Sequence, residues 1–539
     1  MSISKRLFFC FLAFPIHLWA QLSTTLPIVK IDTRGASIMD EPKITADMQI
    51  IYKGLGQINS ENDAPTEYNG LIGIEYRGSS SQMFPKKGMG VETRDEAGED
   101  LKVSLFGWPE ESDWVLFASY NEKSMLHNVF TLGIANAMGM YASRTQYVEV
   151  IVNNQYQGVY VFMEKVKRDS GRVDISKLSN DENTGDDLTG GYIVKIDKET
   201  GTNNGGWRSN YTNTGSNARK TYYLYEYPSD ISSTQRTYIK NEISSFEDVM
   251  ASTNYKDPVS GYPSMIDVNS FVTYLLVNEI SRNIDGYRIS SYLYKDKDSK
   301  DGRLKAGPPW DYDICYGNAD YCDGNRFDLW AYRFNDICPD DNWTVPFWWY
   351  KLMQDPAFVQ KVGSKYHNLR KEGMLLNTEV VLARIDSLAG VIEEAQVRNY
   401  IKWPTLGKYV WPEPNPIPTT WVGEVNQMKN WLRSRLNWLD AQLPEDYTGV
   451  LLASEKEVSF RAFPNPFIER LQVEVNSPKS DKGVLQFLDV HGRVLGQSDV
   501  QLNQGYNLLE FEQMEEFRQA KIIRIMTSEK AYAYKVVGM

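Results

Sequence analysis

The sequence predicts a mixed α+β protein, β-rich in its first part, helical in its second, and closed by a small all-β sandwich-like domain. Three observations predict it. From Leu26 to about Glu199 short apolar stretches alternate with turn residues, as strands do. Within Thr234–Met250 and Asn269–Arg282, and again between Pro346 and Leu443, the apolar spacing becomes helical. Beyond Pro444 the alternation returns. The length of 539 residues suits two to four domains. A hydrophobic fraction of 42%, with 14 Trp and 33 Tyr, excludes a disordered chain. Lys and Arg number 58 against 70 Asp and Glu, a net charge of −12, so no global field gathers nucleic acid or anionic lipid.

The individual elements follow in order. Lys5-Arg6, the apolar run Leu7 to Trp19 and the small Ala20 match the regions of a signal peptide over residues 1–20. That run is too short, and too interrupted by Pro15 and His17, for the ~20 residues a membrane span needs, and no later segment is apolar for long enough. Strands are expected at Leu71 to Tyr76, Val148 to Val152, Gln157 to Met163 and Tyr192 to Ile196, with one helix from Ser124 to Met138 among them. Residues Asp197 to Thr221, rich in Gly, Asn, Ser and Thr, read as an exposed loop. Helices are expected at Thr378 to Asn399 and Gly423 to Gln442. After Val458 come short strands with turns at Pro464-Asn465-Pro466, Gly483 and His491-Gly492. The Trp residues of the helical part, Trp431 and Trp438 among them, stand at core spacing rather than forming a glycan-stacking surface.

Chemistry concentrates between residues 283 and 313. A helix ends near Arg282, a polar turn carries Asn283 and Asp285, a strand runs from Ile289 to Tyr294, and Trp310-Asp311-Tyr312-Asp313 follows. If that last segment is extended, Asp311 and Asp313 face one side, and paired hard oxygens suit Mg2+, Mn2+ or Ca2+. A carboxylate one loop away is then placed to act as base toward a hydroxyl, the arrangement phosphoryl transfer requires. The segment Arg77-Gly-Ser-Ser-Ser with Lys86-Lys87 suits an anion, and suits a plain hairpin equally. The acidic loop Asp296 to Gly302 lacks the ligands of a calcium loop and reads as a hairpin turn. Once the leader with Cys10 is removed, Cys315, Cys322 and Cys338 remain; two can pair in an oxidising compartment, the spacing does not say which, and it fits no zinc site.

Taken in order, Arg77-Gly-Ser-Ser-Ser…Phe84-Pro-Lys-Lys87, Gly158-Val-Tyr160…Glu164-Lys-Val-Lys167-Arg168-Asp169, Asn283-x-Asp285 and Trp310-Asp311-Tyr-Asp313 resemble the CotH family, the spore coat protein H kinase-like proteins. The resemblance implies a two-lobed atypical protein kinase fold over residues 66–446, with residues 21–65 as a β segment packed on it. It further implies ATP and Mg2+, with Mn2+ or Ca2+ as alternatives, and a Ser/Thr protein substrate. By position Asp285 is the catalytic aspartate and Asp311 the metal aspartate, with Asn283 and Asp313 as further metal candidates. Lys87, with Lys86, is the phosphate lysine; Arg77 and Glu164 lie near the nucleotide. His127 stands where the family carries arginine and reads as a packing residue, and Ser290 stands where an asparagine would complete a metal shell. Residues 454–539, with Ala462-Phe-Pro-Asn-Pro-Phe467 and Leu488-Asp-Val-His-Gly-Arg493, resemble the C-terminal sorting domain of type IX secretion substrates, which implies that machinery as a partner and a secreted or cell-surface location after periplasmic passage. A non-catalytic surface protein that binds a protein or glycan, and a calcium-stabilised adhesin, are the competing readings.

Overall fold

The computed structural model describes residues 21–199, 204–214 and 219–443, and from the terminal domain 459–463, 470–477, 479–489, 493–512, 522–528 and 531–535. The expected signal peptide, the Pro464-Asn465-Pro466 and His491-Gly492 turns and part of the Asp197 to Thr221 loop lie outside the described residues. The protein is a mixed α+β molecule of sheets and helices.

The first part closes into a seven-stranded barrel. Its staves run in the order Ile28–Asp32, Ile44–Ile51, Tyr68–Arg77, Gly88–Arg94, Asp113–Phe117, Gln155–Glu164 and Thr145–Val152. Neighbours are antiparallel except at the seam, where Ile28–Asp32 lies parallel to Thr145–Val152 with Val29 opposite Val150. Two of the seven staves therefore come from residues 21–65, which makes that segment integral to the barrel. Alternation sets the two faces of each stave. Tyr160 and Phe162 point inward with Ile72, Ile74, Met89, Val91 and Trp114, whereas Val159, Val161 and Met163 point outward onto the helical part. The stave Gln155–Glu164 is buried on both faces and joins the barrel to the helices.

Beside the barrel lies an antiparallel sheet in the order Gly206–Arg208, Tyr222–Tyr227, Tyr192–Ile196, Ser291–Lys295, Lys305–Ala306. The segment expected as a plain loop from Asp197 thus contributes an edge strand, and Asp296 to Gly302 turns the hairpin between the last two strands. The central helix, Val268–Ser281, is buried at every residue from Phe271 to Ser281, as its apolar circumference requires. The predicted helix Thr378 to Asn399 divides into Thr378–Ile392 and Ala395–Lys402, and Trp421–Gln442 closes this part. Trp348 and Trp349 are fully buried, while Trp431 and Trp438 pack against the same core. In the terminal domain a three-stranded and a four-stranded sheet share an alternating core that includes Leu471, Val473, Leu485, Phe487, Ile523 and Ile525. Among the described residues no helix is long and apolar enough to cross a membrane.

Candidate functional site

The central helix begins at Asp267, whose carboxylate accepts the Ser270 N–H, and ends where Arg282 enters the left-handed region at φ 42°. A non-glycine residue pays roughly 1–2 kcal/mol to sit there, and contacts fix it: the Arg282 guanidinium donates to the carbonyls of Leu329 and Asp323. The reversal throws the next residues into a tight turn. Asn283 Oδ1 accepts the Asp285 N–H at 3.1 Å, and its Nδ2 donates to the Asp311 carbonyl at 3.2 Å, so its amide is engaged at both ends. Gly286 lies so close to the helix that a Cβ there would meet Asn278 Oδ1 at 2.4 Å. The turn closes with Tyr287 at φ 70° and Ser290 at φ 50°. Tyr287 is pinned by its hydroxyl, which donates to Glu279 Oε1 at 3.0 Å.

The second limb is Trp310 to Asp313. It is not a strand: Asp311 has φ 68°, so the expected extended D-x-D is replaced by an irregular loop. The carboxylates nevertheless act on one another, because both are held from outside the loop. Asp311 Oδ2 accepts the Ser290 hydroxyl at 3.2 Å, and Asp313 Oδ2 accepts Asn121 Nδ2 at 2.6 Å. The Asp313 carbonyl is met by Asn318 Nδ2 at 3.0 Å and by His127 Nδ1 at 3.2 Å, and Asn128 Oδ1 accepts the Tyr312 N–H. Four left-handed non-glycine residues in two adjoining loops, Arg282, Tyr287, Ser290 and Asp311, concentrate backbone strain, of a kind that clusters at functional sites.

Electrostatics single out the same place. Burial raises Asp285; Arg288 opposes the shift, Asp311 adds to it, Lys198 opposes it and Asp197 adds to it. Burial likewise raises Asp311, eased by the Ser290 hydroxyl, by Lys195 and by Arg77, and worsened by Asp197. Asp313 stands well above the usual carboxylate range, through burial and then the charge of Asp311, with Asp285 adding to it. Three half-buried carboxylates that disfavour one another's ionisation take up protons in the absence of a cation, and a cation bound among them would relieve that repulsion. Asp311 and Asp313 fit the donor set of Mg2+, which takes one or two carboxylates and completes its shell with phosphate oxygens and water. Asp285, Asp311 and Asp313 do not converge closely enough to hold one ion as a threesome; among the described residues the group that does is Cys322, Cys338 and Asp341. Its sulfurs are joined as a disulfide, and Cys315 is buried and free.

The structure does not gather all the sequence candidates. Lys86 is fully buried; it donates to the Val159 carbonyl and to Asn399 Oδ1 and lies 4.7 Å from the Tyr160 ring centroid. Burial alone lowers it to about 7, with no acid nearby to hold its charge. Lys87 donates to the Gln82 carbonyl. Glu164 is buried at the end of its stave, bonded to Arg144 Nη1 at 2.6 Å, to the Arg144 N–H and to the Tyr141 hydroxyl. None of these three joins the aspartates. Arg77 does: it ends a barrel stave with its guanidinium 5.4 Å from the Trp310 ring centroid, and it bears on Asp311. His127 is buried, with its backbone N–H on Glu122 Oε2, and burial lowers its ring.

Sequence reasoning passed over Asn121, Lys195, Asp197 and Lys198. The register shows why they belong. Ile196 pairs with Ser291 and Lys195 with Tyr292, which brings Asp197 opposite Ser290 and hence to Asp311. Lys195 lies 2.5 Å from Asp197 and 5.8 Å from the Tyr292 ring centroid. A bare Val-Lys-Ile-Asp-Lys carries no signal of this, since pairing across a hundred residues is not written in either strand.

A family model described as CotH kinase protein matches residues 74–439, well over half of the chain, and the protein belongs to that family. A search of curated proteins returned no match.

Proposed function

With membership of the CotH kinase family as premise, we propose that the protein is an exported ATP-dependent phosphotransferase that transfers the γ-phosphate to Ser or Thr of surface or extracellular proteins. The observation that carries the reading is the half-buried trio Asp285, Asp311 and Asp313, gathered where the barrel meets the central helix and raising one another's affinity for protons. In this reading the barrel and the helical part serve as the two lobes of an atypical kinase. Arg288 Nη2 occupies Asp285 Oδ1 at 2.7 Å, which leaves Oδ2 for the acceptor hydroxyl. A carboxylate raised above its ordinary value is a better base near neutral pH, so Asp285 takes the hydroxyl proton as the oxygen attacks phosphorus. Asp311 and Asp313 would hold Mg2+, which supplies charge neutralisation at the phosphates when bound. Asn283 braces Asp285 against the Asp311 backbone rather than ligating a metal. Arg77 supplies positive charge at the Asp311 end.

The leader-like residues 1–20 and the two-sheet terminal domain support export, with residues 454–539 as the address read by type IX machinery. Removal of residues 454–539 is expected to retain the protein inside the producing cell, as fractionation would show.

The test of the catalytic reading titrates the purified chain with ATP and Mg2+, Mn2+ or Ca2+, following thermal stability and phosphate incorporation, beside Asp311→Ala. A ligand that binds only the folded state raises its apparent stability. Stabilisation that needs nucleotide and metal together, and disappears in the variant, supports the reading. No shift at saturating ATP with any of the three ions overturns it.

A further inference from the structure

We infer that Lys198, seated over the Trp343 ring at the Asp285 end of the carboxylate cluster, is the cation that contacts the transferred phosphoryl group of a nucleoside triphosphate. The inference rests on the phosphotransferase reading and names a residue that the sequence motifs do not.

The argument turns on which cations near the site are already committed. Arg288 has every edge in use: Nε donates to the Ile284 carbonyl at 2.8 Å, Nη1 to Asp341 and to the Trp343 carbonyl at 3.1 Å, and Nη2 to Asp285. Its face lies 4.0 Å from the Phe334 ring centroid. Lys195 is paired with Asp197. Lys86 and Lys87 are engaged by the carbonyls of Val159 and Gln82. Arg77 and Lys198 each rest on an indole face and have no carboxylate within ion-pair distance among the described residues.

These two cations stand at opposite ends of the cluster, Arg77 beside Trp310 and Asp311, Lys198 beside Asp285. The Lys198 ammonium is 5.2 Å from the Trp343 ring centroid. Trp343 is itself fixed relative to Asp285, because its carbonyl accepts Arg288 Nη1 and its N–H donates to Asp341 Oδ1 at 2.8 Å. Trp343 is 38% exposed, so the lysine lies at an open mouth rather than in a sealed core. An indole face holds an ammonium weakly, and a phosphate oxygen outcompetes it. In an in-line transfer the phosphoryl group passes between the metal-held phosphates and the base that receives the hydroxyl proton. With Asp311 marking the first and Asp285 the second, the cation at the Asp285 end meets the γ-phosphate, and the one at the Asp311 end meets the inner phosphates.

The test compares ATP and ADP affinity with Mg2+ for the full chain, for Lys198→Met, Lys198→Arg and Arg77→Met, by equilibrium binding. Lys198→Met is expected to weaken ATP about tenfold or more while leaving ADP unchanged, the size of a lost charged hydrogen bond. Lys198→Arg keeps the preference, and Arg77→Met weakens both nucleotides alike. Lys198 is half-buried at the surface, and unchanged apo thermal midpoints certify the variants as folded. Wild-type affinity for ATP in Lys198→Met, or equal wild-type affinities for ATP and ADP, overturns the assignment. A wild-type chain that binds neither nucleotide overturns the phosphotransferase reading itself.

Discussion

Two acidic sites lie near the same helix end, one buried and one half-buried, and they are built to opposite ends. Glu279, on the central helix, is met by Arg435 Nη2 at 3.0 Å, by the N–H groups of Ala331 and Tyr332, each at 2.9 Å, and by the Tyr287 hydroxyl. Arg435 in turn donates to the carbonyls of Glu279, Phe327 and Leu329. Both Glu279 oxygens and every Arg435 nitrogen have a partner inside the protein. Asp313 is half-buried, with one side-chain donor, Asn121, and two neighbouring carboxylates that raise its affinity for a proton. A closed network of charges stabilises a fold, whereas an open one holds a place for a ligand.

Four measurements break or sharpen that contrast, beginning with the largest effect. Asp285→Asn is expected to slow phosphate transfer by about 10²–10⁴ with nucleotide-dependent thermal shifts retained; transfer at the wild-type rate would place the base elsewhere. Arg435→Met leaves Glu279 charged and unpaired, and chemical denaturation should show a loss of about 3–5 kcal/mol. Asp313→Asn should do the reverse. Its folded pKa is raised, so above the unfolded value of about 3.9 the native state still holds a proton that the unfolded state has released, and stability falls as pH climbs through that window. The asparagine variant does not share this decline, so its advantage over the wild type grows with pH, and a bound divalent cation shrinks it. Ser232→Ala removes the capping box that Ser232 and Gln235 form at the start of Ser233–Ala251, with an expected cost of about 1 kcal/mol. It lies outside both acidic networks and should leave transfer rates untouched.

Much of the framework is legible along the chain. Tyr192–Ile196 matches the predicted strand residue for residue, and the central helix, Val268–Ser281, matches the predicted Asn269–Arg282 to within one residue at each end. Alternation and helical spacing are local properties, and each segment reports its own. The long helix expected from Thr378 was misjudged because its apolar spacing continues across Glu393 and Glu394, where the backbone turns to seat Ala395–Lys402 against the barrel. There Asn399 Oδ1 accepts the Val159 N–H, and Gly158, at φ +100°, leaves room for it: a Cβ would lie 2.5 Å from that oxygen. The sequence motif marked Lys86 as a cation for phosphate; the fold uses it at this same junction.

The sequence by itself determined the order of β-rich, helical and β-rich regions, the acidic pair Asp285 and Asp311 with its turn chemistry, and the cysteines Cys315, Cys322 and Cys338 as the ones that follow Cys10. Only the tertiary structure decided that the barrel closes through the parallel pairing of Ile28–Asp32 with Thr145–Val152, that Cys322 joins Cys338, and that Lys195, Asp197 and Lys198 stand with the aspartates. The physical reason is range. Propensity and periodicity act over a few residues, whereas charge compensation depends on distances through space that only chain closure sets.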